Sequence, residues 1–156
     1  MNGSFRVTVW DPPLIISQIC AMQAIMYVSL GTGVLVLHMI SGHPISLDAL
    51  FRYEDVQVKE VGGRLLVAVF LLNSLICALA LWIIVQRRKM CLDFTATVHF
   101  LHLIFCWFYN GLFPTSAAWW LVQVICVTIT CVCAEFLCLR SEMKAIPLGL
   151  GSRVDL

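Results

Sequence analysis

The sequence predicts an all-α integral membrane protein, a four-transmembrane-helix bundle with its N- and C-termini cytosolic. Three observations carry this expectation. Of 156 residues, 61% are hydrophobic and only 12% are charged, about half the charged share of a soluble domain. The mean hydropathy is +0.94, and a soluble domain this small cannot hide so much apolar surface from water. Four stretches, residues 14–38, 65–85, 94–112 and 117–139, each offer the roughly 17–25 apolar residues needed to cross a ~30 Å hydrocarbon core. The same composition excludes a disordered chain. Ten basic against nine acidic residues, a net charge of +1, leave no basic field for nucleic acid.

In hydrocarbon every backbone N–H and C=O must be paired internally, so each stretch reads as a helix. A transmembrane barrel would instead alternate in segments of about ten residues. Asp11-Pro12-Pro13 opens the first span, with an acidic side chain able to cap and prolines suited to a first turn. Trp10 suits the headgroup level. The apolar run that follows exceeds the about 7–15 residues of a signal peptide and reads as a retained anchor. Residues 46–52, with Leu47, Leu50 and Phe51 on one face, read as a short interfacial helix. Gly62-Gly63 breaks the chain before the second span. Asn110-Gly111 and Phe113-Pro114 make a tight turn, so spans three and four are antiparallel neighbours. Trp119 and Trp120 follow, where an aromatic belt belongs.

Orientation follows from the basic residues. Arg6, Arg87, Arg88, Lys89, Arg140, Lys144 and Arg153 fall on the side of the termini, and Arg52, Lys59 and Arg64 on the other. That bias puts both termini in the cytosol. None of the eight cysteines lies in the non-cytosolic stretches 39–64 or 113–116, so no disulfide framework is expected on the oxidising side. Cys91 and Cys138 lie at the cytosolic edge and are candidates for palmitoylation, with unmodified edge cysteines as the plain alternative.

Ionisable groups inside spans are costly and are functional candidates by default. Three stand out: His99, His102 and Glu135. His99 lies six residues past Asp93, about 9 Å along a helix, and Glu135 lies five before Arg140, about 7–8 Å from the same edge. Matched depth suggests that the two share a proton or a hydrogen bond. His99, His102 and Cys106 also fall on one helix face, although structural metal sites bring about four ligands and no metal is assigned. A proton-coupled carrier would show broken helices or an inverted repeat, and neither is visible. The plainer reading is an intramembrane polar network of interhelical hydrogen bonds, with Gln18, Gln23 and Asn73 serving likewise. Cys126, Thr130 and Ala134, at steps of four, form a close-packing stripe. No G-x-S-x-G, H-E-x-x-H or P-loop occurs, so neither catalysis nor a cofactor is expected.

Several runs resemble a known family. They include Phe5-Arg6, Val9-Trp10-Asp11-Pro12, Ser17-Gln18-Ile19, Met22-Gln23, Ser46-Leu47-Asp48, Gly63-Arg64-Leu65 and Cys77-Ala78-Leu79. The densest are Cys91-Leu92-Asp93-Phe94-Thr95, Thr97-Val98-His99-Phe100, His102-Leu103 and Cys106-Trp107-Phe108-Tyr109. Phe113-Pro114, Trp119-Trp120-Leu121-Val122-Gln123, Glu135 and Ile146-Pro147-Leu148 complete the pattern. The chain is similar, in order from Phe5 to Leu148, to the Sys-one family of four-span Golgi membrane trafficking proteins. The resemblance implies one four-span domain over residues 1–148 and a short flexible cytosolic tail over 149–156. The family pattern ends at Leu148, so residues 149–156 inherit no role from it. The resemblance implies a trans-Golgi receptor that recruits an Arf-related small GTPase, N-terminally acetylated and without a myristoyl anchor. The alternative is a small proton-coupled or metal-handling carrier built on His99, His102 and Glu135. Membrane lipids are partners on either reading. For the GTPase, Trp10, Asp93, Ile146 and Pro147 are the candidate contacts, all expected at one end of the bundle.

The topology is testable in cells. Tags at Met1 and Leu156 should be digested by protease once the plasma membrane alone is permeabilised. Protection of either tag would refute the arrangement.

Overall fold

The computed structural model describes residues 11–42, 46, 48–56 and 58–145. Four helices are long and apolar enough to cross a membrane, as the sequence predicts: α1 (Pro12–Ser41), α3 (Val61–Ile84), α4 (Cys91–Asn110) and α5 (Ala117–Ala145). A short helix, α2 (Asp48–Phe51), lies between α1 and α3, and single 3-10 turns cover Tyr53–Asp55 and Arg88–Met90. No strand forms among the described residues.

The helix ends follow local chemistry. Prolines sit in the first turn of α1, where a missing N–H loses no bond. Asp11 does not cap with its side chain; its carbonyl accepts the Ile15 N–H at 3.2 Å instead. Helices α1 and α4 stop at glycines in the left-handed region, Gly42 (φ 69°) and Gly111 (φ 68°). The N–H of each closes on a carbonyl one turn back, at His38 and Trp107. Gly62-Gly63 does not break the chain. Both glycines fall inside the first turn of α3, where N–H groups have no intrahelical partner in any case.

Helices α1 and α4 run one way across the bundle and α3 and α5 the other. Helix α3 packs most extensively, against α5 and α1. Its antiparallel contact with α1 keeps a single register. Gln18 Nε2 donates to the Ile84 carbonyl at 3.0 Å, the Ser29 hydroxyl donates to Asn73 Oδ1, and Gly33 meets Val69. The parallel contact with α5 is equally regular. Cys126 Sγ reaches the Phe70 carbonyl at 3.6 Å, and four residues on Thr130 Oγ1 donates to the Ser74 carbonyl at 3.1 Å. The stripe of Cys126, Thr130 and Ala134 is buried at this seam, where small side chains let the backbones approach.

The stretch expected as an interfacial helix folds inward. Leu50 is buried, and the Phe51 ring lies 5.6 Å from Tyr27 and 5.3 Å from Tyr109; Leu47 falls outside the described residues. Asn110 Nδ2 donates to the Phe51 carbonyl at 2.8 Å, and the Tyr109 hydroxyl donates to the Asp48 carboxylate. That bond, helped by Ser46, holds Asp48 below the usual carboxylate range. Asp55 moves the other way, pushed up by partial burial. Helix α2 therefore covers one end of the bundle. The opposite end carries Arg87, Arg88 and Lys89, and the two are called here the covered end and the basic end.

The α1/α3 register rests on close approach. A Cβ on Gly33 would stand 2.7 Å from Val69 Cγ1, and a helical valine has one strongly preferred rotamer. Gly33→Ala should cost about 1–3 kcal/mol of stability in mixed-micelle unfolding, and adding Val69→Ala should recover most of it. An unchanged Gly33→Ala protein would mean that α1 and α3 meet in another register.

Candidate functional site

Two features have the chemistry for function: a polar core and an open cleft. His102 is the centre of the core. It is only 2% exposed, its Nδ1 lies 3.1 Å from the Tyr27 hydroxyl, and its Nε2 lies 3.5 Å from Cys106 Sγ. Rings from four other segments surround it: Tyr27 of α1 at 5.9 Å, Phe51 of α2 at 6.4 Å, Phe70 of α3 at 6.2 Å and Trp119 of α5, stacked at 6.4 Å. One helix turn nearer the basic end, His99 Nδ1 donates to Gln123 Oε1 at 3.1 Å. The space between these groups is a cavity of about 10 Å³ lined by Asn73, Ser74, His99, His102 and Gln123, among others. Gln23, expected to bond across helices, has no partner in hydrogen-bond geometry among the described residues.

The expected sharing between His99 and Glu135 does not occur. His99 pairs with Gln123, whereas Glu135 Oε1 accepts from Cys131 Sγ of its own helix at 3.6 Å. The physical reason is position along α5: twelve residues, about 18 Å, separate Glu135 from Gln123, the residue that His99 reaches. His99, His102 and Glu135 thus belong to separate contacts and not to one network. Among the described residues, no group of three His, Cys, Asp or Glu side chains is placed to hold a metal ion.

Cys91 and Cys138 also depart from expectation. Their thiols lie 3.8 Å apart inside the α4/α5 seam, 0% and 1% exposed, so neither offers a sulfur to an acyl transferase. Sequence position put them at the edge of the span, and helix rotation turned them inward. Asp93 is exposed in the first turn of α4, and Trp10, Ile146 and Pro147 lie outside the described residues.

The cleft opens at the basic end between α1 and the start of α4, with a volume of about 1460 Å³. Asp11, Leu14, Ile15 and Gln18 form one face of α1 along its wall, and Leu92 stands opposite. Glu135 and Glu142, two turns apart on α5, line it from basal to rim level, and Arg87, Arg88 and Lys89 complete the rim. Gln86, a non-glycine residue at φ 54°, turns the chain from α3 into this basic triplet. The triplet makes no ion pair among the described residues; Glu142 Oε1 accepts the backbone N–H of Arg88 at 3.5 Å. Helices α1 and α4 touch little, chiefly through Tyr27 and His102 nearer the covered end, so they stand apart here.

A family model described as SYS1, an integral membrane protein linking to the trans Golgi network, matches residues 5–148. The chain belongs to the SYS1 family. It is 49% identical over 152 residues to the Protein SYS1 homolog of Nematostella vectensis, covering 97% of this chain and 96% of that protein. It is 37% identical to the Protein SYS1 homolog of Dictyostelium discoideum, over 97% of this chain and 65% of that longer protein. Protein SYS1 of Saccharomyces cerevisiae is 28% identical over 78% of this chain and 60% of its own length. No solved structure matches. This family member is therefore an integral membrane protein with four apolar spans.

Gln123 and Tyr27 are the core residues that the sequence reading passed over. Gln123 was within reach, because it lies three residues before Cys126 and so on the same face of α5. Tyr27 carried no signal, since its partner is 75 residues away. The separate pairs make a quantitative prediction. A double-mutant cycle on His99→Ala and Gln123→Ala should show coupling of about 0.6 kcal/mol, the average for such bonds in a membrane bundle. His99→Ala and Glu135→Gln should add without coupling in the same unfolding assay. The reverse pattern would restore the His99–Glu135 contact.

Proposed function

We propose that the protein is a non-enzymatic adaptor of the trans-Golgi membrane, with both termini cytosolic, that recruits an Arf-related small GTPase. The observation that carries the reading is the family match over residues 5–148, to a family described as linking to the trans Golgi network. The physical chemistry agrees with it. A GTPase with an acetylated N-terminus and no acyl chain lacks the membrane affinity of buried CH₂ groups, and a protein receptor supplies it instead. Seven of the ten basic residues lie toward the termini, which orients the basic end to the cytosol. The docking surface we assign is that end, formed by residues 5–11, 87–94 and 140–147. Asp93 is exposed within it. Trp10, Ile146 and Pro147 belong to its flanking segments. No observation favours the carrier alternative, because His99, His102 and Glu135 sit in separate contacts.

Helix α5 runs to Ala145, so a stop after Ala145 leaves it whole and removes Ile146 and Pro147. In cells this truncation should leave the four-span protein at the Golgi and release the GTPase to the cytosol, scored by microscopy. Recruitment that survives both the truncation and a Trp10→Ala, Asp93→Ala double substitution would place the docking site elsewhere.

A further inference from the structure

We propose that the cleft at the basic end is a phospholipid site that takes one amine-bearing glycerophospholipid, of the phosphatidylethanolamine type, from the surrounding leaflet. The occupant follows from what lines the opening. Three cations and three carboxylates share it: Arg87, Arg88 and Lys89 with Asp11, Glu135 and Glu142. A simple anion would meet the cations and be opposed by the carboxylates, and a simple cation would meet the reverse. A headgroup that carries phosphate and a primary ammonium together answers both signs, and its N–H groups donate to the carboxylates as the trimethylammonium of phosphatidylcholine cannot. The basic triplet has no ion pair among the described residues, so its donors are available to a phosphate. It lies at the 3-10 turn that leads into α4, the end of the helix where the macrodipole is positive.

The walls suit the rest of the molecule. Leu14 and Leu92 are 51% and 55% exposed and, with Ile15, give an apolar surface below the charged rim. The α1 face from Asp11 to Gln18 spans seven residues, about 10 Å of depth, enough to take the glycerol and the first methylenes of an acyl chain. Because α1 and α4 touch little at this end, the chain enters sideways from the bilayer with no displacement of the core. At about 1460 Å³ the cleft exceeds the roughly 300–1,000 Å³ of an ordinary small-ligand pocket, as a lipid requires. Basic pockets between membrane helices on the cytosolic side are a recurring way to hold lipid headgroups. The proposal is independent of GTPase recruitment and stands or falls by itself.

The test uses the full chain in nanodiscs of equal parts phosphatidylcholine, phosphatidylethanolamine and phosphatidylglycerol. Native mass spectrometry then reads which lipid stays bound as detergent strips the rest. The intact protein should retain one phosphatidylethanolamine in preference to the other two. Arg87→Gln, Arg88→Gln and Lys89→Gln together should lower retention on the order of ten-fold, since each cation near the leaflet surface attracts phosphate. Arg87→Lys with Arg88→Lys should keep retention close to that of the intact protein. Glu142→Gln, which still accepts the Arg88 N–H, should shift the preference toward phosphatidylglycerol. Equal retention of all three lipids would overturn the proposal, and so would retention indifferent to the triplet. Preference for phosphatidylglycerol in the intact protein would make it a plain anion site and overturn it as well.

Discussion

In a bilayer, helices gain nothing from hiding apolar side chains from lipid, which is just as apolar, so their association rests on close packing and hydrogen bonds. Helix α3 meets that demand on two sides. Toward α5, the small side chains of Cys126, Thr130 and Ala134 bring the backbones close enough for Thr130 to reach the Ser74 carbonyl. Toward α1, Gly33 does the same opposite Val69, and Ser29 meets Asn73 in the same register. Helices α1 and α5 are thus fixed to α3 along their lengths. Helix α4 is held mainly by α5, so its relation to α1 is set at second hand.

That second-hand relation gives the bundle its asymmetry. Near the covered end, α1 and α4 are joined by His102 and Tyr27, and Phe51 of α2 fits beside both rings. The cluster draws on four spans and the connecting segment at once, so it seals that end with large, rigid groups. Among the described residues nothing comparable joins α1 and α4 at the basic end, where Leu14, Ile15 and Leu92 line the open cleft. Among the described residues one end is closed by aromatic packing and the other is left open by its absence.

How far this was legible in the sequence depends on which coordinate a feature needs. The spans were legible because hydropathy along the chain alone marks them. Their ends were less so: α5 continues past residue 139 to Ala145, since Arg140, Glu142, Met143 and Lys144 form helix readily once outside the apolar layer. Depth counted from the assumed span edges suggested a pair of His99 and Glu135, and the contacts formed place the two at different levels. Level and helix rotation are both set by tertiary contacts, such as Cys91 against Cys138. The same missing coordinate hid the burial of those two thiols. For α2, the apolar face of Leu50 and Phe51 fitted the membrane interface and the bundle equally well, and the bonds from Tyr109 and Asn110 chose the bundle.

The basic end also departs from what helix stability alone would favour. Arg88 and Lys89 immediately precede α4, where the helix macrodipole is positive and acidic residues would stabilise. Beside them Gln86 occupies the left-handed region that, elsewhere among the described residues, is taken by glycine, at Gly42 and Gly111. Such a residue costs about 1 kcal/mol or more and persists only where its surroundings hold it. Two local costs thus fall on the same rim, beside the cleft, while the covered end closes its helices on glycines without strain. The cost is offset within the fold by Glu142, which reaches from α5 to the Arg88 N–H. What results is a set of cations, without an ion pair among the described residues, at the mouth of the cleft, an arrangement that contributes to contact with something outside the chain more than to the stability of the chain itself.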